Sequence, residues 1–435
     1  MMKMMRRYLV HWTMAMTFAV VPNFGHSQEK GNSEKMAIDS PLLQAWPGPY
    51  GGVPPWNLVR EEEFLPAFEA AIAMAEEEIE AIANNPEPPT FDNTIVALED
   101  SGRALNRLAS IFFVYTSNLN LGAIPDIEKA IVPKLSEHED KIYQNEKLFA
   151  RIAEVYESEA MTNGELNLAQ RRLVDDRYKT FLRKGAKLDA AQKARLSQIN
   201  TRLARLFTDF SQNVLEDEKG YVTWIDDEAA LAGLPESVVS AMAAAAEERG
   251  NQGGKWAVTN TRSSMDPFLT YADTRDLREK VWRNYYNRGD NGDQFDNNKI
   301  IAEILKLRAA RAKLLGYQTH AHWRMEPTMA KKPEAAMDLM MKVWPKALAR
   351  VEEEVADMQA IADREQAGIT IAPWDYRYYA EKVRKEKYDL DFNEVKPYLQ
   401  LEKLIEAMMW ASTKLYGLQY KPITGVPVFH PDVTV

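Results

Sequence analysis

The chain has 435 residues, of which 46% are hydrophobic and 27% charged, enough for a large buried core and, we expect, two packed lobes. Its formal net charge of -10, from 54 basic and 64 acidic residues, argues against nucleic acid as the main partner. The sequence contains no cysteine, which excludes disulfides, a cysteine nucleophile, cysteine-ligated metal and a lipid anchor on cysteine.

Residues 1–27 have the three parts of a secretory signal: a basic start, an apolar run from Tyr8 to Val21 and a region of small residues before Gln28. We therefore expect export to the periplasm with cleavage before Gln28. The apolar run is short for a membrane span, so an uncleaved anchor is the alternative.

Residues 28–57 are polar and then rich in proline and glycine. We expect Trp46, Val53 and Trp56 to pin this extended segment onto the body of the protein. A helical lobe is predicted from there to residue 250.

Apolar residues at intervals of three and four predict successive helices in this lobe. The first begins near Phe64, and the second is capped by Asp92 or Asn93. The third continues past Pro133, which should kink it, towards Tyr156.

The most regular helical pattern predicts one long helix whose apolar stripe consists of Leu196, Ile199, Leu203, Leu206, Phe210 and Val214. The run is shorter than four heptads. This favours a helix of an intramolecular bundle over the alternative, a coiled-coil dimer.

Strand signals occur at residues 221–225 and 256–259, on either side of an alanine-rich helix near Val238 to Glu248. These two segments could form a small ribbon. We place the boundary between the lobes near Gly250 to Gly254.

Further helices are predicted after the boundary, at about residues 274–288, 298–316, 333–364 and 401–415. Residues 290–296 suggest a calcium loop, but Gly292 is too early for an EF-hand and no glutamate closes the loop, so a polar turn is favoured. Val433–Val435 resembles the first residues of a strand without partners.

Pro373–Lys382 concentrates aromatic and charged residues where a helix should begin. Asp375 can cap that helix, and Glu381 and Lys385 are placed for an ion pair. The pattern alone allows either plain core packing or the wall of a cleft in which tyrosine hydroxyls meet a ligand.

This stretch, together with Gly316–Ala321 and Pro427–Val433, resembles the thimet-oligopeptidase family of zinc peptidases, in particular its bacterial peptidyl-dipeptidase and oligopeptidase A branch. The likeness covers nearly all of the chain after residue 27. It implies a mainly α fold, with the multi-helix lobes of a two-lobed peptidase and at most a small β ribbon. It also implies that residues 251–435 are the first part of the catalytic region.

The family's His-Glu-x-x-His zinc helix is absent from the sequence, and in the family that helix comes later than a position equivalent to Val435. We therefore expect a chain truncated before its catalytic motif, inactive alone and prone to aggregate through surfaces that the missing part would cover.

Four histidines follow the leader: His138, His320, His322 and His430. No two are four residues apart, the spacing that places two imidazoles on one helix face around a zinc ion. We interpret His138 as an exposed surface residue, His320 as structural, and His430 with Asp432 as part of a turn. If His320 and His322 were ligands on an extended segment, they would need a third partner.

No Gly-x-Ser-x-Gly elbow and no phosphate-binding loop of the Gly-x-x-x-x-Gly-Lys type are present. In the complete enzymes that the chain resembles, zinc polarises the scissile carbonyl and activates a water molecule. No catalytic, cofactor-binding or metal-binding residue of the family can be assigned to a position in this sequence.

The sequence thus predicts the first part of an exported zinc metallopeptidase that hydrolyses short peptides, a monomer when complete. Short peptides are the expected partners, with no nucleic acid and, unless the leader is uncleaved, no membrane. Two alternatives remain: a helical protein that binds peptides without cleaving them, and one half of a split peptidase.

Overall fold

A computed structural model describes residues 40–48, 52–389 and 392–435 of the chain. The predicted signal over residues 1–27 lies outside these ranges. The α-helices, numbered in chain order, are α1 (Phe64–Ala83), α2 (Ala97–Asp100), α3 (Arg103–Asn118), α4 (Ile124–Gln144), α5 (Glu146–Glu157), α6 (Leu168–Arg183), α7 (Ala190–Gly220), α8 (Glu236–Glu248), α9 (Arg262–Tyr271), α10 (Arg275–Tyr286), α11 (Asn298–Leu314), α12 (His320–Met325), α13 (Pro333–Arg364), α14 (Tyr376–Tyr388), α15 (Phe392–Val395) and α16 (Leu401–Tyr416). The strands are β1 (Thr223–Ile225) and β2 (Trp256–Val258).

Contacts divide the structure into two compact units, each made of separate stretches of chain. The first contains the described residues up to Asp209 together with Ile300–Met329 and Ile423–Val435. The second contains Phe210–Lys299 and Ala330–Pro422. The assignment of residues 58–250 and 251–435 to functional lobes stays a prediction.

The first unit is built on α1, whose buried face repeats every three or four residues. Phe64 and Phe68 of α1 and Phe112 of α3 are fully buried. The ring centroid of Phe112 lies 5.0 Å from that of Phe64 and 5.3 Å from that of Phe68, in edge contacts. Burying each such ring contributes about 1.5–3 kcal/mol. Trp46 and Trp56 pack against this core, as predicted for the preceding segment.

The second predicted helix is interrupted, and its predicted cap is wrong. Thr90 is the cap: its hydroxyl accepts from the Asn93 amide at 3.1 Å, and the Asn93 side chain accepts from the Thr90 amide at 2.8 Å. A wide π-helical turn, Phe91–Val96, then leads into α2. The chain breaks before α3 because Gly102 adopts φ +69°, a conformation that favours glycine.

The third predicted helix also divides in two, at a residue that the apolar pattern did not indicate. It continues through Pro133 and ends at Gln144. Asn145 then caps α5 by accepting a hydrogen bond from the Leu148 amide at 3.0 Å.

The long helix α7 confirms the cleanest pattern in the sequence. Leu196, Ile199, Leu203 and Leu206 are each no more than 2% exposed. Three of them cluster with Ile304 of α11, which is a partner within the same chain, as a bundle helix requires.

In the second unit β1 and β2 form the predicted antiparallel ribbon, with Thr223 opposite Val258 and Ile225 opposite Trp256. One face of the ribbon packs on helices α8, α9 and α10 through a buried cluster that consists of Ile225, Met242, Val258, Met265, Phe268, Leu269, Ala272 and Val281. The predicted mainly α fold with a small β ribbon is confirmed.

The polar loop between α10 and α11 is a network of turns, as expected. Asp296 accepts from the backbone amides of Asn298 and Gly292, at 2.9 and 3.0 Å. Asp293 accepts from the Phe295 amide at 2.8 Å. The carboxylate of Asp296 thus accepts a hydrogen bond from the first amide of α11.

Helix α13 has the predicted bounds, but only its second half is buried. Met358, Ile361 and Ala362 pack with Tyr379 of α14. The first half is exposed and apolar, with large side chains between 44% and 66% exposed, namely Met337, Leu339, Met340, Met341, Val343, Trp344, Leu348 and Val351.

The predicted strand at Val433–Val435 is wrong. The segment is irregular, and the carbonyl oxygen of Val435 accepts a hydrogen bond from the Ile423 amide at 2.8 Å. Nearby, Phe429 makes an edge contact with Trp56, with centroids 5.6 Å apart. Because no strand forms here, this segment gives no support to the expectation of a truncated chain. In the described part of the chain, no helix is both long and apolar enough to cross a membrane.

Candidate functional site

The aromatic stretch begins at a turn and continues into α14. Asp375 occupies the position before the helix, but its side chain makes no capping hydrogen bond, so the predicted cap is wrong. Glu381 pairs with Arg384 three residues later rather than with Lys385.

Asp375 is instead the acceptor at the centre of an arginine cluster. Arg275 donates to both carboxylate oxygens, with its Nη2 2.8 Å from Oδ2. Arg278 Nη2 donates to Oδ1 at 2.9 Å, and the Ala372 amide to Oδ2 at 3.1 Å. The carboxylate is 0% exposed and the Arg278 side chain 2%, so the pair is removed from water.

Trp374 and Tyr378 extend this cluster on both sides. The guanidinium of Arg278 lies 4.1 Å from the centroid of the Tyr378 ring, whose hydroxyl donates to Asp273 at 2.8 Å. The guanidinium carbons of Arg275 and Arg283 lie 5.6 and 5.1 Å from the ring centroid of Trp374. Such contacts fix the rings in place.

The electrostatics of the cluster suit a positioning role. Burial by itself would raise the pKa of Asp375, but hydrogen bonds from Arg275, Arg278 and Ala372 outweigh it and the pKa falls. Burial also raises the pKa of Tyr378, so its hydroxyl stays protonated. A carboxylate that accepts from two arginines is a poor base, and no hydroxyl group of the described residues donates a hydrogen bond to it.

The remaining aromatic residues divide between interior and surface. Tyr379 is 4% exposed and Tyr376 is 36% exposed, with its hydroxyl donating to Glu354 at 3.0 Å. These positions are compatible with packing for most of the stretch. That part of it lines a peptide channel stays a prediction.

His138 was expected at the surface, and this is wrong. It is 8% exposed, because α4 turns it towards α1, where its Nδ1 lies 3.6 Å from Oε1 of Glu76. Burial lowers its pKa, an effect that Glu76 opposes.

The other three histidines differ in the hydrogen bonds that their ring nitrogens make. His322 Nδ1 is 2.8 Å from the Thr319 hydroxyl, at the start of α12. Nδ1 of His320 is shielded from solvent and has no hydrogen-bond partner in the described chain. His430 accepts from the Asp432 amide at 3.3 Å in an exposed turn.

Among residues 40–48, 52–389 and 392–435, no three histidine, aspartate or glutamate side chains lie close enough together to hold a metal ion. The described residues therefore do not fit the zinc ion that the resemblance implies, and no catalytic step through it can be derived from them. The absence of assignable site residues stays a prediction for the chain as a whole.

The arginine cluster escaped the sequence analysis. Arg275 and Arg278 lie in a segment for which only a helix was predicted, and they are about 100 residues from Asp375. The available signal was a pair of arginines three residues apart, which places both on one helix face.

Comparison with known proteins agrees with the motifs. The profile of Peptidase family M3 matches residues 268–435. The dipeptidyl carboxypeptidase of Escherichia coli (strain K12) is 36% identical over 383 residues, which are 88% of this chain and 56% of that protein. Its counterpart from Salmonella typhimurium is 35% identical, over 91% of this chain and 58% of the relative.

Oligopeptidase A of Escherichia coli (strain K12) is 30% identical over 88% of this chain and 56% of its own length. The chain thus spans somewhat more than half the length of these curated relatives. The M3 profile and the two groups of relatives support the membership of this chain in the thimet-oligopeptidase-like M3 peptidase family.

Proposed function

We propose that this chain is the larger, non-catalytic part of a zinc-dependent M3 peptidase that hydrolyses short peptides. The observation that carries the proposal is the 36% identity, over 88% of the chain, to a protein named dipeptidyl carboxypeptidase. The chain matches 56% of that relative, so 44% of the relative has no counterpart here.

In this proposal the zinc ligands belong to residues outside this chain of 435 residues. The sequence contains no pair of histidines at the spacing of His-Glu-x-x-His. When bound, the metal would polarise the peptide carbonyl. The described residues would contribute the scaffold and surfaces that hold the peptide and the catalytic segment.

Two exposed apolar helix faces favour the hypothesis that another segment covers this chain, rather than the hypothesis of a peptide-binding protein that acts alone. The first half of α13 exposes the side chains named above, including Trp344 at 57%. Helix α16 has no buried residue and exposes Leu401, Leu404, Ile405, Met408, Trp410, Leu415 and Tyr416. Soluble monomers rarely expose so many large apolar groups on neighbouring turns.

We infer that the occupant of these faces is the catalytic segment that corresponds to the unmatched 44% of the relative. A split peptidase, with that segment on a second polypeptide, would cover the same faces. A peptide-binding protein that acts alone would leave them in water, at a large free-energy cost.

The coding DNA beyond Val435 tests the proposal. A reading frame that continues to a His-Glu-x-x-His motif supports it. A separate start codon before such a motif makes the protein one half of a split enzyme, and unrelated sequence favours the peptide-binding protein and contradicts the proposal.

We also propose that the protein is exported to the periplasm, on the strength of the basic, apolar and small-residue pattern of residues 1–27. The mass of the protein from cell fractions tests this. A periplasmic chain that begins at Gln28 agrees with export, and a cytoplasmic chain that retains Met1 contradicts it.

A further inference from the structure

Three arginines of the first unit gather around one histidine. Arg308 and Arg311 belong to α11, and Arg324 belongs to α12 with His320. Trp323 is the common neighbour of Arg311, Arg324 and His320: its ring centroid lies 4.6 and 5.7 Å from the two guanidiniums and 5.5 Å from the imidazole centroid. The guanidinium of Arg308 lies 5.0 Å from the ring centroid of Phe207.

Two members of this cluster, Trp323 and Arg311, are buried and hydrogen-bonded. Trp323 is 7% exposed, and its indole N–H donates to the carbonyl of Arg183 at 3.0 Å. Arg311 is also 7% exposed and donates from Nη1 to Oδ1 of Asn200 at 3.1 Å. The two contacts hold the arginine and the ring at fixed positions.

No described carboxylate forms an ion pair with Arg308, Arg311 or Arg324. The acidic groups that act on Arg311 from a distance are Asp140 and Glu139. Both are already engaged, since Asp140 accepts from Asn200 at 2.8 Å and from Ser197 at 2.9 Å, and Glu139 accepts from Lys184 at 2.7 Å. The cluster therefore carries more positive charge than its surroundings balance.

Several polar atoms of the cluster are shielded from solvent without a partner in the described chain. They are Nε of Arg308, Nε of Arg311 and Nδ1 of His320. A buried guanidinium that lacks a hydrogen-bonded counter-charge is costly, by several kcal/mol in the usual case. An anion in contact with these groups would remove that cost.

The pKa directions agree with this deficit of negative charge. Burial, followed by the charges of Arg308 and Arg324, lowers the pKa of Arg311 to about 10. Burial and the three arginines lower the pKa of His320 to about 4. His320 is therefore neutral near pH 7 and adds no charge to repel an anion.

We propose that Arg308, Arg311 and Arg324 form a binding site for a small oxyanion beside His320. The planar guanidinium fork matches the oxygen spacing of phosphate, sulfate or a free carboxylate, and its charge strengthens each hydrogen bond. The inference does not depend on the proposed function.

Equilibrium dialysis of the chain from Gln28 to Val435 against inorganic phosphate, at constant sodium concentration with MOPS as the balancing anion, tests the site. We expect saturable binding of about one phosphate per chain. Dialysis counts bound ligand even if the chain self-associates. The substitution Arg324→Gln alters an exposed member of the cluster and should weaken binding about tenfold, the effect of one lost charge-assisted hydrogen bond.

Arg172→Gln is the matched control, because Arg172 is an exposed arginine of the same unit, paired with Asp176 at 2.9 Å in α6. It should leave phosphate binding unchanged. Circular dichroism checks the fold of each variant, and Arg308→Gln replaces Arg324→Gln if the latter unfolds. Absence of saturable binding, or equal weakening by Arg172→Gln, would overturn the proposal.

A second readout separates a bound anion from a structural effect of the arginines. NMR titration of the histidines, with His320 assigned through His320→Gln, should show the pKa of His320 rising when phosphate is added. An unchanged titration midpoint at saturating phosphate would count against the site.

Discussion

Arg278 and Asp375 lie 97 residues apart in the chain, and their side chains meet at 2.9 Å with almost no exposure to solvent. Arg275 completes the cluster through two oxygens of the same carboxylate. The start of α14 is thereby tied to α10, and the position of the aromatic stretch depends on this one carboxylate.

Replacing Asp375 by asparagine should destabilise the second unit strongly. The substitution leaves two arginines without their counter-charge, one of them buried, and breaking such a pair costs about 3–5 kcal/mol. Urea unfolding followed by circular dichroism measures the loss. Arg350→Gln, which removes an exposed arginine paired with Glu353 and Glu354, should change the midpoint little. Equal midpoints for the two variants would refute a central role for Asp375.

Acidification should weaken the fold through His320. Its pKa in the folded chain is lowered to about 4, against an ordinary value of 6.5, first by burial and then by the nearby arginines. Between these values the unfolded chain binds more protons, so the free energy of unfolding falls as pH decreases from 6.5 towards 4.

His320→Gln should flatten this dependence when unfolding midpoints are compared at several pH values in that window. His430→Gln, which alters an exposed histidine of the C-terminal turn, is the control and should keep the slope. A slope that His320→Gln leaves unchanged would show that another group is responsible.

Shortening an apolar side chain on the buried face of α7 should lower the stability of the fold without changing the association between chains. Leu203 is 1% exposed, and Leu203→Ala should cost about 2–5 kcal/mol, depending on how far the cavity collapses. Any dependence of the unfolding midpoint on protein concentration comes from the exposed apolar faces of the second unit and should be the same for the parent chain and for Leu203→Ala. A dependence that Leu203→Ala abolishes would instead favour the coiled-coil dimer.

The exposed apolar faces should drive self-association of the chain when it is produced alone. Trp344 and Trp410 are 57% and 64% exposed, and replacing both by serine removes a large part of the exposed apolar surface. Sedimentation velocity should show smaller species for the double variant. Lys346→Ser, on the same exposed half of α13, should leave the distribution as it was, and a monomeric parent chain would contradict the prediction.

The helices could be predicted because their apolar residues recur with a period that the local backbone imposes. This applies to α7, whose apolar stripe was predicted, and to α13, whose bounds agree with the sequence prediction. The breaks at Gly102 and Asn145 were missed because a single residue with a special backbone or capping role hardly changes that period.

The site residues were harder to predict because they depend on contacts between distant segments. The burial of His138 follows from the packing of α4 on α1, and the role of Asp375 follows from two arginines about 100 residues away. A local view assigns His138 to the surface, since its neighbours are acidic, and Asp375 to a helix cap. Family resemblance was informative where local physics was not, because it draws on the whole chain.

The zinc content of the purified chain from Gln28 to Val435, measured together with hydrolysis of a quenched fluorescent peptide, tests the central claim most directly. We predict no stoichiometric zinc and no turnover, because the described residues offer no group of metal ligands and the sequence has no His-Glu-x-x-His motif. About one zinc ion per chain with cleavage that a chelator abolishes would contradict the account and would make His320, His322 and His430 the first ligands to mutate.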